Sequence, residues 1–329
     1  MAAPVALTLG DPAGVGGEIA LAAWARLRGE LAMFLIGDLH HMRSLSRAAG
    51  IPVREIAAPA EATVPGDGLP VLHHPLHRPA TPGQPDPGNA AAVVAIIARG
   101  VDLVRSGAAS ALCTNPIAKK LLQDGAGFAF PGHTEFLAAL SGAPRPVMML
   151  ACPGLRVVPV TIHLPLSAVP EALTAGLLDE TLRVTHRGLV SDFGIEAPRI
   201  AVAGLNPHAG ENGGMGREEI EVIAPVLARL RGEGMDLTGP HAGDTLFHPA
   251  ARARYDAAVC MYHDQALIPV KTIDFAGSVN VTLGLDFVRT SPDHGTAFDI
   301  AGQGRADPSS LIAALTVARD LAARRQASL

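Results

Sequence analysis

The 329-residue chain has few of the side chains on which several classes of protein depend. It has two Tyr and one Trp, which leaves little aromatic surface for stacking bases, and its net charge of −5 opposes binding to a phosphate backbone. Its three cysteines, Cys113, Cys152 and Cys260, are far apart and form no Cys-x-x-Cys pair. Nucleic-acid binding, a thiolate zinc site and a disulfide framework are therefore poor explanations of this sequence.

The sequence also lacks long apolar runs. It does not begin with a basic segment followed by an apolar one, and no uncharged apolar stretch approaches the roughly 18 residues that a membrane span needs. Hydrophobic residues make up 48% of the chain and charged residues 17%, which is typical of a globular protein with one large or two ordinary domains. We therefore expect a cytoplasmic protein without a signal peptide.

Short apolar runs alternate with helical patterns along most of the chain. The predicted strands are Val5–Leu9, Met33–Gly37, Leu69–His73, Ser110–Thr114, Pro146–Ala151, Val157–Ile162, Arg199–Gly204, Ala257–Met261 and Asn280–Leu283. The predicted helices are Glu18–Arg28, Leu39–Ala49, Asn89–Arg105, Leu178–Phe193, Arg217–Arg231 and Asp307–Arg325. This order predicts an α/β fold with mostly parallel sheets flanked by helices. Five prolines between His74 and Gly88 predict a surface loop.

Three histidines follow three of the predicted strands. His163 follows Val157–Ile162, His208 comes shortly after Arg199–Gly204, and His263 follows Ala257–Met261. Ligands of such folds collect at the carboxyl ends of strands, and three imidazoles with open positions suit a catalytic divalent metal. Three separate structural or surface histidines, among the 13 in the chain, would fit the same spacing.

Other segments have the composition of anion sites. The loop from Gly204 to Gly216 holds five glycines and ends where a helix is predicted, so its backbone can approach a ligand closely. His133 and Thr134 precede an apolar helix, where Thr134 can cap the helix, bind an anion, or do both. Lys271, Asn280 and Arg289 recur at nine-residue spacing, and the two cations suit phosphate or carboxylate, although each alone would also fit an exposed surface.

Two glycine-containing segments concern a nucleotide. The segment Asp293–Gly302 is predicted to form a turn at Gly295 that opens into a helix, and such an arrangement can surround and bind an adenosine group. The segment Gly10–Gly17 fits neither Gly-x-Gly-x-x-Gly nor Gly-x-x-x-x-Gly-Lys, so the usual dinucleotide and phosphate-loop interpretations fail there. The absence of Gly-x-Ser-x-Gly weakens a serine hydrolase interpretation.

The chain resembles the 4-hydroxythreonine-4-phosphate dehydrogenases of vitamin B6 biosynthesis over essentially its full length. The strings that carry the resemblance are Leu9–Gly14, Pro131–Phe136, Leu205–Glu211, Met261–Gln265, Val279–Leu285, Arg289–Gly295 and Gly302–Asp307. Gly17 and Asp286 stand where the family usually has proline, and His241–Gly243 also differs.

The resemblance implies the two-domain fold of the isocitrate and isopropylmalate dehydrogenases, with the active-site cleft between the domains. The larger α/β domain would comprise residues 1–130 with 275–329 and carry the cofactor loop. The second α/β domain, residues 131–274, would carry the metal and the dimer contacts. The implied assembly is a homodimer that shares its metal site, with His163 and His208 from one chain and His263 from its partner.

The resemblance also implies roles for individual residues. His163, His208 and His263 would bind one divalent ion, Zn, Mg, Mn or Co. The substrate contacts would come from His133, Thr134, Lys271, Asn280 and Arg289. The candidates for proton transfer are His133, Lys271, Asp244 and Asp264. The NAD or NADP contacts would come from Asp293, His294, Gly295 and Thr296.

The implied reaction is the oxidation of 4-phosphohydroxy-L-threonine with NAD, or NADP, to a β-keto acid that decarboxylates to 3-amino-2-oxopropyl phosphate. A sister group within the family acts on phosphorylated sugar acids such as threonate or erythronate 4-phosphate, and the Ala266-Leu267 pair is more similar to the vitamin B6 enzymes. Two other classes remain open. A phosphate acyltransferase would need no redox cofactor, and a non-catalytic phospho-ligand sensor would not need the three histidines.

Overall fold

The computed structural model describes residues 3–327. The chain forms two compact units, of which the first combines residues 3–144 with 285–326 and the second is Arg145–Gly284. The fold class predicted from the sequence, α/β with mostly parallel sheets flanked by helices, is confirmed.

The boundaries between the units fall later than the predicted 130/131 and 274/275. The helix His133–Ser141 packs Phe136 and Leu137 into the core of the first unit, so it does not belong to the second. The strand Val279–Leu283 pairs with Val147–Cys152 inside the second unit. Both shifts follow from tertiary contacts rather than from a change in composition at the boundary.

The first unit is a parallel sheet covered by helices. Its strands are β1 (Val5–Thr8), β2 (Met33–Gly37), β3 (Val53–Ile56), β4 (Leu69–His73), β5 (Ala111–Thr114) and β12 (Arg289–Pro292). Its helices are α1 (Gly16–Leu27), α2 (Leu39–Ala49), α3 (Ala90–Arg105), α4 (Lys119–Ala126), α5 (His133–Ser141) and α11 (Ser309–Ala327). The strand order is β3-β4-β2-β1-β5-β12, and every neighbouring pair is parallel. Strands β1, β2 and β5 are apolar and buried along their length because helices cover both faces of such a sheet.

Helix α3 shows why hydropathy alone misleads here. The segment Pro87–Arg105 meets the length and composition expected of a membrane span, whereas the sequence was expected to hold none. Half of the segment is buried inside the unit, where Val93, Ile96 and Ile97 pack in the core. Arg99 of the same helix donates to the carbonyl oxygen of His73 at 2.8 Å. These contacts are those of a core helix.

The second unit has a mixed sheet. Its strands are β6 (Val147–Cys152), β7 (Leu155–Pro159), β8 (Arg199–Ala203), β9 (Asp236–His241), β10 (Ala257–Cys260) and β11 (Val279–Leu283). Its helices are α6 (Val169–Ala172), α7 (Ala175–Ser191), α8 (Ala224–Gly232), α9 (Pro249–Arg252) and α10 (His263–Ile273). The order is β11-β6-β7-β10-β8-β9, antiparallel from β11 to β7 and parallel from β7 to β9. The carboxyl ends of β7, β10 and β8 therefore lie side by side.

Candidate active site

Two of the predicted metal ligands lie next to each other in the second unit. His163 follows β7, and His263 is the first residue of α10, directly after β10. Because β7 and β10 are parallel neighbours, the two imidazole rings meet at one edge of the sheet, with their centroids 5.7 Å apart. They line a cavity of about 260 Å³ together with Thr161, Tyr262 and Asp264.

Asp264 contacts His263 directly. Its Oδ1 lies 2.7 Å from Nδ1 of the ring. Since an ionised carboxylate only accepts, this contact favours the imidazole tautomer that carries its proton on Nδ1 and leaves the lone pair on Nε2. A carboxylate on the far nitrogen is the usual partner of a metal-binding histidine, because it orients the ring and raises its basicity. This contact gives Asp264 the position of a residue that orients His263.

The third predicted ligand, His208, lies in an unusual turn after β8. Its φ is 53°, and the four residues that follow, through Asn212, also have positive φ values between 43° and 78°. Only one of these five residues, Gly210, is a glycine. A left-handed backbone costs a non-glycine residue roughly 1–2 kcal/mol, so such a run persists only where the surroundings impose it.

His163 has the same backbone conformation, with a φ of 54°. Two of the three predicted ligands thus occupy backbone positions that L-residues rarely adopt. Residues held in sparsely populated φ/ψ regions cluster at functional sites, where neighbouring structure compensates for the strain. The unusual backbone conformations of His163 and His208 therefore favour a ligand-binding role for these residues over that of ordinary surface histidines.

Gln265 links the segments that carry the three histidines through hydrogen bonds, and no pattern in the sequence indicates this role. Its Oε1 accepts from the backbone N–H of Met261 at 2.7 Å, and its Nε2 donates to the carbonyl oxygen of Gly204 at 2.7 Å. The hydroxyl of Thr161 donates to the carbonyl oxygen of Met261 at 2.8 Å. One short network therefore joins the ends of β7, β8 and β10.

The three histidines do not form one cluster within the chain. Among residues 3–327, no group of three His, Cys, Asp or Glu side chains is close enough to hold a metal ion. His163 and His263 are paired, whereas His208 lies exposed on the neighbouring loop. This pairing differs from the division that the resemblance implies, in which His163 and His208 come from one chain and His263 from its partner.

The remaining predicted residues of the second unit occupy separate positions. Asp244 is exposed in the short turn Gly243–Thr245 after β9. Lys271 is in the last turn of α10, with its Nζ 5.1 Å from the centre of the Phe275 ring. Asn280 is in β11, and its Oδ1 is buried with no hydrogen-bond partner among the described residues. Asn280 thus presents an acceptor oxygen that is not satisfied by any donor of residues 3–327.

The first unit contains a buried cation. Arg289 is the first residue of β12, is 3% exposed, and donates from Nη2 to the hydroxyl of Thr114 at 2.7 Å. Burial lowers the pKa of the guanidinium to about 10, which leaves it charged at neutral pH. An arginine guanidinium binds phosphate and carboxylate groups through charge-assisted hydrogen bonds, so this buried cation is a candidate for binding an anionic group.

His133 lies in the electrostatic field of this arginine. It is the first residue of α5, and its Nε2 is buried with no hydrogen-bond partner in the described part of the chain. Burial first, and then the charges of Arg289 and Lys119, hold the pKa of His133 well below 6.5. The helix is capped by Gly132, so Thr134 lies in its first turn and does not cap it. The amino end of α5, a neutral imidazole and Arg289 together suit an anion.

The four predicted cofactor residues follow β12. Asp293 donates from its backbone N–H to Ser310 Oγ at 3.1 Å, and the carbonyl oxygen of Thr296 accepts from Val15 N at 3.0 Å. His294 and Gly295 are exposed, and no atom of residues 3–327 lies within 4 Å of the position that a side chain at Gly295 would take. The loop therefore has room for a ligand at its tip.

The sequence predicts that the loop opens into a helix at Gly295, and this prediction is wrong. Turns follow instead, and the next helix, α11, begins at Ser309. The segment Gly10–Gly17, which matches no nucleotide motif, packs beneath the loop. A side chain at Gly14 would come within 2.8 Å of the Thr296 carbonyl oxygen, so glycine permits this close approach.

His133 makes stability depend on pH. Its depressed pKa means that the unfolded chain binds this proton at a higher pH than the folded protein does. The contribution is fully present above about pH 6.5 and is lost as the pH falls from there toward the folded pKa. We expect the free energy of unfolding to decrease between about pH 7.5 and 5.5, and His133→Gln to reduce that slope, as measured by denaturant unfolding.

The variant should reduce the slope without removing it. Burial also lowers the pKa values of four other histidines, His41, His74, His186 and His241, which act in the same direction. Inorganic phosphate provides the matched test, because an anion beside His133 stabilises its charged form and should raise its pKa. A slope that is identical in wild type and His133→Gln would contradict the assignment.

The fold and these clusters define an α/β enzyme with polar sites at the carboxyl ends of parallel strands, one with paired imidazoles and one suited to an anion. The chain belongs to the family described as pyridoxal phosphate biosynthetic protein PdxA, whose profile matches residues 30–318. This match confirms the family that the sequence motifs indicate, and the names of similar proteins confirm the class of enzyme, a dehydrogenase.

Similar proteins extend over the whole chain. A 4-hydroxythreonine-4-phosphate dehydrogenase of Ruegeria sp. (strain TM1040) is 59% identical over 323 residues, 98% of each chain. The crystal structure of a 4-hydroxythreonine-4-phosphate dehydrogenase from Klebsiella pneumoniae has 38% identity and a TM-score of 0.91, covering 98% of this chain and 100% of that one. A terephthalate 1,2-cis-dihydrodiol dehydrogenase from Burkholderia xenovorans LB400 has 30% identity and a TM-score of 0.66, covering 97% of this chain and 98% of that one. The same fold thus occurs in a dehydrogenase named for a different substrate.

Proposed function

We propose that this chain oxidises 4-phosphohydroxy-L-threonine with NAD, or NADP, to a β-keto acid that decarboxylates to 3-amino-2-oxopropyl phosphate, in pyridoxal phosphate biosynthesis. The observation that carries the proposal is the full-length similarity to proteins of that name, at 59% identity for the Ruegeria enzyme. The three cysteines are free, which is consistent with a reducing cytoplasm as its location.

The donor set of the second unit fits a divalent metal. His163 and His263 present two imidazoles at one cavity, and Asp264 leaves Nε2 of His263 available. Neutral imidazole suits Zn²⁺ and Co²⁺, while Mg²⁺ or Mn²⁺ would need additional oxygen ligands. A divalent metal held by His163, His263 and a third histidine would supply Lewis-acid chemistry that lowers the pKa of the substrate hydroxyl.

The third ligand in this proposal comes from a second copy of the chain. His163 and His263 of one copy would be completed by His208 of the other, because no third ligand joins the pair among residues 3–327 of one chain. Exposed apolar side chains flank the paired histidines: Leu164 and Leu166 line the cavity, and Ile268 lies on α10. A two-fold dimer would bury such side chains and repeat the shared site twice.

Contacts with the substrate are assigned to the residues that the family resemblance implies, taken unit by unit. In the first, Arg289 and the amino end of α5, with Thr134 in its first turn, would bind phosphate or carboxylate. In the second, Lys271 would supply a positive charge and Asn280 an acceptor for a substrate donor. Such contacts position the reacting carbon. His133, whose low pKa keeps it neutral, is placed to accept a proton, and Lys271, Asp244 and Asp264 remain the other candidates for proton transfer.

Asp293, His294, Gly295 and Thr296 are assigned to the nicotinamide cofactor. The open space at the tip of their loop is the structural support for this assignment. A bound nicotinamide would supply the hydride acceptor. The protein's part is to hold the cofactor at the carboxyl edge of the first unit's sheet, where β12 ends.

The proposal is tested by following the absorbance of reduced nicotinamide with each candidate substrate and each cofactor. We expect 4-phosphohydroxy-L-threonine with NAD to be turned over fastest, with release of CO₂, and the unphosphorylated analogue to be a poor substrate. Faster turnover of threonate or erythronate 4-phosphate would support the alternative, a sister-group dehydrogenase. No reduction with any of them would refute a dehydrogenase of this substrate class.

The metal forms a separate arm of the same assay. We expect activity to disappear after chelation and to return when a divalent metal is added, with Zn²⁺ and Co²⁺ as the first candidates. Restoration by Zn²⁺ or Co²⁺ should require His163, so His163→Ala protein should not recover. Full activity in a preparation shown by elemental analysis to be metal-free would contradict the proposed site.

A further inference from the structure

Glu219 is a buried carboxylate directly beneath the left-handed turn that carries His208. It is 4% exposed, although it belongs to a strongly acidic stretch, Glu218 to Glu221, whose other acidic residues are more accessible. A carboxylate is rarely buried unless hydrogen-bond donors surround it. The hydrogen-bond donors around Glu219 therefore indicate which segment of the chain its carboxylate stabilises.

The donors that reach Glu219 come from the start of the turn. Its Oε1 accepts from the backbone N–H of Asn206 at 2.8 Å, and its Oε2 accepts from Asn206 Nδ2 at 3.0 Å. Glu218 accepts from the same Nδ2 at 2.7 Å, and this hydrogen bond lowers the pKa of Glu218. Two carboxylates thus fix Asn206, two residues before His208.

The backbone of the turn packs closely around the same carboxylate. A side chain at Gly204 would lie 3.0 Å from Glu219 Oε1, and one at Gly210 would lie 2.5 Å from Oε2. Gly204 precedes the turn and Gly210 is the middle of its five left-handed residues. Glycine at both positions lets the chain wrap around the carboxylate. The Glu219 carboxylate therefore packs against the backbone both before and after His208 in the sequence.

Glu219 is brought to this position by a local irregularity. The residues Glu219–Ile223 form a π-helical turn that leads directly into α8. Such turns are rare and often lie at functional sites, because the wider ring displaces side chains from their α-helical positions. Here the irregularity begins at the residue whose carboxylate is buried under the turn.

We propose that Glu219 is a positioning residue that imposes the left-handed turn and so presents His208 to the divalent metal. The inference rests on the proposed function, since His208 must be a ligand for its position to affect metal binding. Glu219 itself does not contact the metal or the substrate. Its role is to satisfy the Asn206 donors and to occupy the space between Gly204 and Gly210, which holds the five residues in their strained backbone conformation.

Titration of the metal-free protein with Co²⁺, followed by its visible absorption, tests this inference. Glu219→Gln keeps the size of the side chain but turns an amide N–H₂ toward an Asn206 donor, so the turn should loosen. We expect the Kd for Co²⁺ to rise about tenfold to a hundredfold, as for other residues that orient metal ligands. His208→Ala should show a loss at least as large.

Asp192→Asn is the matched control. Asp192 is also a buried carboxylate of the second unit, at 3% exposed, and it accepts from the Ser191 hydroxyl at a site remote from the turn in sequence. Its amide variant should bind Co²⁺ as wild type does, even if it lowers stability. Asn206→Ala removes the side-chain contact from the other partner and should weaken Co²⁺ binding, which keeps the test available if Glu219→Gln does not fold.

A readout that needs no metal separates the two proposals. Amide hydrogen exchange of the peptide 204–216 should be faster in Glu219→Gln than in wild type and Asp192→Asn.

Ala209→Gly added to Glu219→Gln should recover part of the Co²⁺ affinity, because glycine adopts a left-handed backbone without strain. A merely structural role for Glu219 predicts no such recovery.

The outcomes distinguish the inference from its premise. If His208→Ala binds Co²⁺ as tightly as wild type, the proposed metal site is wrong, and the exchange data alone then decide whether Glu219 holds the turn. If binding depends on His208 while Glu219→Gln and Asn206→Ala leave the Kd, the Co²⁺ spectrum and the exchange rates unchanged, the proposed metal site stands and the role of Glu219 is refuted.

Discussion

Inactive His163→Ala protein, mixed with an equal amount of inactive His208→Ala protein, is expected to recover about a quarter of wild-type activity once subunits exchange. Random exchange places the two variants together in half of the dimers, and in those dimers one of two sites is intact. The expectation follows from the 5.7 Å distance between the His163 and His263 rings within one chain. Under the proposed metal site, these two ligands come from the same copy and His208 comes from the other.

The companion mixture is His163→Ala with His263→Ala, which should recover nothing because each site retains one defect. Rescue in this companion mixture alone would restore the division that the family resemblance implies, with His263 from the partner. If neither mixture recovers activity, although differently tagged subunits demonstrably exchange, all three ligands belong to one chain. Wild-type protein mixed with each variant measures the extent of exchange.

Replacement of Arg289 by alanine is expected to raise the KM for the phosphorylated substrate roughly tenfold to a hundredfold. A charge-assisted pair in a desolvated site contributes about 1.5–3 kcal/mol, and each 1.4 kcal/mol corresponds to about a factor of ten. Arg289 is 3% exposed and keeps its charge with a pKa of about 10, so water does not screen its contact with an anion. Initial rates over a range of substrate concentrations measure the effect.

Arg105→Ala is the matched control for this variant. Arg105 lies in the same unit but is half exposed and pairs with Asp286 at 2.9 Å, so its loss should leave the KM unchanged. Arg289→Lys should give an intermediate KM, because lysine keeps the charge and loses the planar fork. An unchanged KM in Arg289→Ala protein whose unfolding midpoint matches that of wild type would contradict an anion-binding role.

The sequence predicted the architecture well where apolar runs are long and uninterrupted. Strands β1, β2 and β4 and helices α2 and α3 lie where their patterns indicate. It missed β3, β9 and β12, because each contains or begins with charged residues that obscure the alternation of a strand. Only pairing with neighbouring strands defines these three.

The site could be predicted in part for a physical reason. In a parallel sheet, side chains that follow strands converge at one edge whatever the strand order, so His163, His208 and His263 could be assigned to that edge from the sequence. Which of them are neighbours depends on strand order. Because β10 lies between β7 and β8, His163 meets His263, and no sequence pattern contains that information.

The supporting residues could not be predicted at all. Gln265 acts through both ends of its amide, on Met261 and Gly204, which are distant in sequence from one another. Glu219 looks like one member of an acidic surface stretch, and only its burial distinguishes it. The left-handed turn after β8 contains alanine, glutamate and asparagine at positions where a sequence argument expects glycine, so its conformation is set by its neighbours.

The discontinuity of the first unit has a consequence for the order in which the protein is made. Strand β5 pairs with β12, and the two are separated in the chain by the whole of the second unit. During synthesis, the ribosome therefore completes the second unit while β5 still has an unpaired edge. Nascent chains with open strand edges aggregate readily, and contacts between distant segments form slowly. Expression of this protein should therefore depend more strongly on chaperones and on temperature than its final stability suggests.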